Sequence, residues 1–332
     1  MFKHLKIKLI ALAVLLIGVI GAFLRFSGPA PLDVDAFNAL YERPAPTTDG
    51  PMRVFHLGHS LVSNDMPAML MQLAGADHSY ETQKGWGAFL KAHWDPDQPL
   101  NGFDEENGHP RYRDAKEAMA SGDYDALVMT EAVEIRDSIK YMESGEMLHN
   151  WDAAARAGNP EIRTYFYETW HELDDPEGWL ERLDRDLEKY WEGEILRRAL
   201  NYDDDPQPIY MIPGGQVMAR FVREIESRGG VGELKTRQDL FSDNIHFNDI
   251  GAYLVTLTHY AVLYQKSPVG LPHELLKADG TPATAPSSEV ARLMQEVVWE
   301  VVTSYDKTGV RAEGSGAGAG VHRGPGSGRC WP

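Results

Sequence analysis

The chain reads as an α/β protein built on a parallel sheet, and three observations predict this. Four short apolar runs, at residues 54–57, 124–129, 162–167 and 208–212, have the length and composition of buried strands, and a weaker alternating run at 79–84 makes a fifth. Helix-period stretches separate these runs, the order that places a parallel sheet between helical layers. With 332 residues, 43% of them hydrophobic, the chain can bury one sizeable core.

Taken in order, residues 1–26 stand apart. Lys3, Lys6 and Lys8 precede an uncharged apolar run at 9–24, the pattern of a secretory signal or a short membrane anchor. Prolines crowd the segment that follows and leave no clean small-x-small cleavage site, so an uncleaved anchor is expected, with the rest of the chain outside the cytoplasm. Residues 27–51, rich in proline and turn formers, read as a linker with one apolar patch at 37–40. The folded unit is expected over 52–305, and a Gly/Ser-rich tail, too poor in apolar residues to pack, over 306–332.

Within the folded unit the first strand runs into Gly58-His59-Ser60 and then a helix carrying Met66, Leu70 and Met71. Open parallel sheets place their chemistry at the carboxyl ends of strands, which makes Ser60 a candidate nucleophile. The second strand leads into Gly85-Trp86-Gly87, where glycines let backbone approach a ligand. Residues 95–113 are polar and proline-containing, the composition of a long surface loop. Glu131 follows the third strand, where it can line a site or sit as a solvated carboxylate. The fourth strand ends in Glu168-Thr169-Trp170-His171; Trp170 and His171 can contact substrate or pack under a loop. Residues 179–200 form a charge-laced helix expected to present a solvated face. Pro213-Gly214-Gly215 turns the fifth strand into a helix over 216–227. Asn248 or Asp249 can cap a helix to about 264, and an amphipathic helix spans 289–303.

A lone serine is a weak nucleophile and needs a base that is itself oriented by a third group. Asp243-Asn244-Ile245-His246 supplies both, since residues three apart on one turn can face each other. His56 falls inside the first strand and reads as a core histidine, while His59, adjacent to Ser60, would diverge from it on a turn. The base is therefore assigned to His246.

These two blocks resemble the SGNH (GDSL-like) hydrolases. Gly58-His59-Ser60-Leu61 matches the first block of that family with His59 in place of aspartate, and Asp243-Asn244-Ile245-His246 matches the last. The glycine block corresponds best to Gly87, whereas Thr130-Glu131-Ala132 stands where the family has its asparagine. The resemblance covers about residues 52–265. It implies a flavodoxin-like three-layer α/β/α sandwich with about five parallel strands and a serine esterase. In that reading Ser60, Asp243 and His246 are catalytic, Ser60 and Gly87 give oxyanion N–H groups, and Trp170, His171 and Glu131 border the substrate. An acylated small molecule or a glycan O-acetyl group would be the substrate. The altered first block and missing asparagine leave a second reading, a glycan- or protein-binding domain without turnover.

Other classes are disfavoured. The formal net charge of -18 does not suit a nucleic-acid partner. One cysteine, Cys330, allows no intrachain disulfide, and neither a zinc spacing nor a phosphate loop is present, so no cofactor is expected.

Overall fold

A computed structural model describes residues 28–47, 50, 52–75 and 78–312; the expected anchor at 1–26 and most of the tail, with Cys330, lie outside these residues. Five strands form one sheet: β1 (Met52–His59), β2 (His78–Gly85), β3 (Ala126–Met129), β4 (Arg163–Glu168) and β5 (Tyr210–Pro213). Every pairing is parallel, as the apolar runs predict, and the order is β2-β1-β3-β4-β5. The chain reverses its direction of winding at β1, so the crevice beyond the end of β1 is the switch point where such sheets bind ligands. Ser60 is the next residue.

The helices follow in chain order as α1 (Val34–Ala39), α2 (Asp65–Ala74), α3 (Leu90–Trp94), α4 (Phe103–Asn107), α5 (Ala115–Ser121), α6 (Ile135–Tyr141) and α7 (Ser144–Gly158). After β4 come α8 (Trp179–Asp186), continued by π turns over Leu187–Leu196 into α9 (Arg197–Leu200), then α10 (Gly214–Ser227), α11 (Asp249–Tyr264) and α12 (Ser288–Ser304). One helical layer joins α2, α11, α12 and α10; the other joins α5, α7 and the α8–α9 run. The architecture is thus a three-layer sandwich.

Helix α11 is buried from Ile250 to Tyr264, so its few polar side chains must bond to their own helix. Thr256 and Thr258 donate to the carbonyls of Ala252 and Leu254 at 2.7 and 2.9 Å, and His259 Nδ1 donates to Val255 O at 2.9 Å. His56 is indeed in the core, packed beside Tyr80 and His259, but its ring nitrogens have no partner among the described residues.

Four expectations change. Residues 28–47 are not a free linker: Asp33 caps α1, Phe37 and Tyr41 are buried, and Tyr41 Oη donates to Ile209 O at 2.8 Å. The apolar patch at 37–40 has found a core to cover, which a linker composition hides. At the other end the chain stays packed past 305, with Thr308 and Val310 buried and Arg311 Nη2 donating to Tyr41 O at 2.6 Å. The loop at 95–113 contains α4 and extends the edge of β2 through a parallel bridge between Thr82 and Tyr112. Finally, the 179–200 helix is not merely solvated: Arg182 is wholly buried and pairs with Asp175, Asp186 and Glu134 at 2.7, 2.9 and 3.1 Å. Three carboxylates compensate one buried guanidinium, an arrangement invisible to helical periodicity.

Among the described residues no helix is long and apolar enough to cross a membrane. Within β1, Gly58 is a steric requirement. A Cβ there would lie 2.4 Å from Thr130 Cγ2 and 3.2 Å from Val62 Cγ2, so β1, β3 and the turn bearing Ser60 meet at this position without room for a methyl. Gly58→Ala is expected to destabilise the protein by roughly 1–3 kcal/mol through overpacking. Urea unfolding checks this; an unchanged midpoint would show that the turn yields at no cost.

Candidate active site

The chain leaves β1 in a 3-10 turn, Ser60–Val62, whose first carbonyl is capped by Ser63 N–H at 3.0 Å. Two buried histidines fix this exit. His59 accepts from Leu61 N–H on Nδ1 at 3.3 Å, so its proton is on Nε2 and is donated to Glu131 O at 2.9 Å. His93 accepts from Gln83 Nε2 on Nδ1 at 3.0 Å and donates from Nε2 to Gly58 O at 2.9 Å. Burial pushes both imidazoles down to about 4, so both stay neutral near neutral pH.

From the far end of the sheet, residues 241–248 bring the second block over Ser60. Asp243 Oδ1 accepts from the backbone N–H groups of Ile245 and His246 at 2.8 and 2.7 Å, the local closure typical of an aspartate turn. Its Oδ2 accepts from His246 Nδ1 at 2.7 Å. That bond places the ring proton on Nδ1, which leaves Nε2 as an acceptor 2.9 Å from Ser60 Oγ. The backbone N–H bonds to His246 and Ile245 hold the Asp243 carboxyl down to about 2, so it is ionised although half exposed. A hydroxyl, an imidazole in the matching tautomer and a fixed carboxylate can together transfer a proton from serine to a leaving group.

Sequence reasoning therefore located Ser60, Asp243 and His246, and the fold brings them together from positions 186 residues apart. It fares less well around them. Trp170 is buried: its Nε1 donates to Ile245 O at 2.8 Å and its ring meets Phe241 and Phe247 edge-on. It supports the histidine loop from beneath and does not face substrate. His171 is also buried, pushed down to about 4 by burial, and its carbonyl accepts from Trp179 Nε1 at 3.1 Å. Glu131 is fully buried, with Oε1 accepting from the N–H groups of Ala132 and Leu90 at 2.9 and 3.2 Å. All three face protein: Trp170 and Glu131 turn inward to bond backbone groups of neighbouring loops, and His171 packs beneath with no side-chain partner for its Nε2 among the described residues. Gly87 lies in an exposed turn with φ of +55°, open on every side.

The cleft beside Ser60, about 210 Å³, is lined instead by Ser60, Leu61, Ser63, Asn64, Lys84, Glu106, His246 and Phe247. Lys84, Asn64 and Glu106 were missed. Their only signal was the register that sets Lys84 beside Gly58, and a lysine in a weak edge strand otherwise reads as solvated.

With this geometry in place, comparison with known proteins adds a fold-level likeness. No protein-family model matches the chain, and no curated protein matches it in sequence. Among solved structures it is similar to a DUF4886 family protein from Bacteroides uniformis, at 13% identity and a TM-score of 0.52, over 76% of this chain and 95% of that one. A carbohydrate esterase family 2 enzyme from Corynascus thermopiles (Myceliophthora fergusii) overlaps at 10% identity and a TM-score of 0.29, covering 51% of this chain and 59% of that one. The M. smegmatis aryl esterase overlaps at 12% identity and a TM-score of 0.28, covering 59% and 91%. The first likeness concerns the fold alone; the other two are too loose to carry an argument.

Burial raises the Glu131 carboxyl from 4.5 to about 7. Its folded-state pKa thus lies above the unfolded one, so the folded chain binds the extra proton between these values. This contribution is fully present below pH 4.5, declines as pH rises, and is gone above 7. The isosteric Glu131→Gln has no such proton to lose. Relative to wild type it is expected to gain stability between pH 5 and pH 8, by an upper bound of about 3 kcal/mol. Denaturant unfolding of both proteins at the two pH values measures the difference; equal pH slopes would mean that Glu131 ionises freely in the fold.

Proposed function

We propose that the protein is a serine ester hydrolase of SGNH type, with Ser60 as nucleophile, His246 as general base and acid, and Asp243 as the group orienting His246. The observation that carries this reading is the continuous hydrogen-bonded chain from Asp243 through His246 to Ser60, in the tautomer the chemistry needs. Ser60 Oγ attacks the acyl carbon while His246 Nε2 takes its proton, and the carbonyl π pair moves onto oxygen. Collapse of the tetrahedral species expels the alcohol, which leaves with the proton from Nε2. Water, deprotonated by the same nitrogen, then attacks the acyl-serine, and Ser60 Oγ leaves with that proton from Nε2 as the carboxylic acid is released. The backbone N–H of Ser60 serves as one oxyanion donor; Gly87, to which the family pattern assigns a second, lies in an exposed turn outside the cleft lining.

The small cleft favours a short acyl group, and an O-acetyl ester of an envelope or extracellular glycan fits both that size and the N-terminal pattern of an exported, membrane-tethered chain. The competing reading, a binding domain without turnover, draws its support from Glu131 at the position of the family's asparagine.

Fluorophosphonate labelling distinguishes the two. An adduct on Ser60, located by mass spectrometry and absent from Ser60→Ala, is the expected outcome, together with loss of 4-nitrophenyl acetate hydrolysis. Asp243→Asn is expected to lower kcat by roughly two to four orders of magnitude, since the wrong tautomer would face serine. Full activity in Ser60→Ala would rule the mechanism out, and a folded wild type without adduct would favour the binding domain.

A further inference from the structure

The wall of the cleft opposite His246 carries more polar chemistry than the proposed acyl transfer uses. Lys84 lies at the end of β2 with its side chain 1% exposed, yet it lines the cleft. Its Nζ donates to Asn64 Oδ1 at 2.8 Å and to Glu106 Oε2 at 2.9 Å. The ammonium has three N–H groups, and the third has no acceptor among the described residues. An unmet donor on a buried cation is costly, so it points to a ligand oxygen.

Lys84 also orients its neighbours. Because an ammonium only donates, the Asn64 amide must turn its oxygen toward Lys84, and its NH₂ is then directed away. Glu106 keeps Oε1 as an unused acceptor among the described residues. The cleft wall therefore offers donors and an acceptor together, with the Lys84 and Glu106 charges compensated. An alkyl chain would leave all of them unpaired, and a carboxylate would meet Glu106. A sugar hydroxyl, which donates and accepts at once, matches the set.

A second observation lies just past the end of β2. Trp86 stands in the turn two residues beyond Lys84 and is 54% exposed. Its backbone N–H donates to Asn101 O at 2.8 Å, and Gly102 packs against the indole, where a Cβ would come within 2.2 Å of Cδ2. The ring thus rests on Gly102 and is exposed beyond it. The same segment that seats Trp86 continues into α4, which supplies Glu106 and whose Asn107 brackets the Lys84 backbone at 2.8 and 3.0 Å. An exposed indole seated on the same segment that supplies Glu106 to the cleft is a platform for the C–H face of a pyranose ring.

Resting on the esterase reading above, we propose that Lys84, Asn64, Glu106 and Trp86 form a subsite for a neutral sugar ring, which makes the alcohol part of the ester a carbohydrate.

The test uses the protein with two esters, 6-O-acetylglucose and 4-nitrophenyl acetate, and compares their kcat/KM values. In Asn64→Ala, Trp86→Ala and Glu106→Gln the ratio of the first to the second is expected to fall roughly tenfold each, about one lost hydrogen bond or stacking contact. Asn64 and Trp86 are exposed, so their substitution is expected to leave the fold intact and the ratio to report binding. Free methyl glucopyranoside is expected to compete with 6-O-acetylglucose in the wild type, and more weakly in Trp86→Ala. Ratios unchanged in all three variants, or no competition by the glucoside, would overturn the subsite. Absence of both 4-nitrophenyl acetate hydrolysis and a Ser60 adduct would instead overturn the esterase reading beneath it, and the sugar ester with it.

Discussion

Everything at this site depends on how β1 ends. A central parallel strand is buried on both faces, yet its last residues must hand a polar side chain to solvent within one turn. The two imidazoles of His59 and His93 resolve the conflict by taking up the backbone groups that the turn leaves over. Each ring accepts on Nδ1 and donates on Nε2, which only a neutral imidazole can do. Their burial is therefore not incidental: the desolvation that keeps them uncharged is what allows each to bridge two groups. His59 ties the turn to β3 and His93 ties Gly58 to α3, so Ser60 leaves a strand end held from both sides.

The opposing half of the site is held differently. Asp243 and His246 sit on an irregular loop and are both substantially exposed, so burial cannot fix them. Position comes from tertiary ties around the loop. Trp170 holds Ile245 O from beneath, Leu173 N–H donates to Asn244 O at 2.9 Å, and Phe241 bridges Phe247. The carboxylate stays charged because two backbone N–H groups stabilise its ionised form. A rigid aromatic base under an exposed pair gives an open histidine with a defined direction.

The sheet was legible in the sequence because parallel strands are buried on both faces and so appear as bare apolar runs. The Gly58-His59-Ser60 turn and the Asp-x-x-His turn were legible because each is a local pattern. What surrounds them was not, since it is made by contacts across long separations. Trp170 and Glu131 occupy the right strand ends, but whether a side chain at a strand end faces the cleft or the loop beneath depends on which backbone groups need partners. Lys84 looked like an edge-strand lysine until residues 101–107 were folded over it, and Arg182 like one cation of a solvated helix. A strap such as 28–47 has a linker's composition and reveals itself only by the core surface that Phe37 and Tyr41 complete.

Glu131 shows how a carboxyl at a strand end can serve the loops around a site and not the site itself. An acidic side chain directed at the carbonyl of an ester would oppose the negative charge that forms there. Here the carboxyl is turned away, buried, and bound to the N–H groups of Leu90 and Ala132, so it acts as a brace between the β2–α3 turn and the end of β3. The polar density of the cleft lies instead on the β2 side, in the compensated Lys84–Glu106 pair. That pair matters for a chain of net charge -18. The field of so acidic a surface repels anions at long range but is screened beyond about 8 Å in physiological salt, whereas a neutral ester feels it hardly at all. Discrimination among neutral ligands must then come from the hydrogen-bond pattern of the wall itself, where the Lys84–Glu106 pair meets Asn64 beside Ser60.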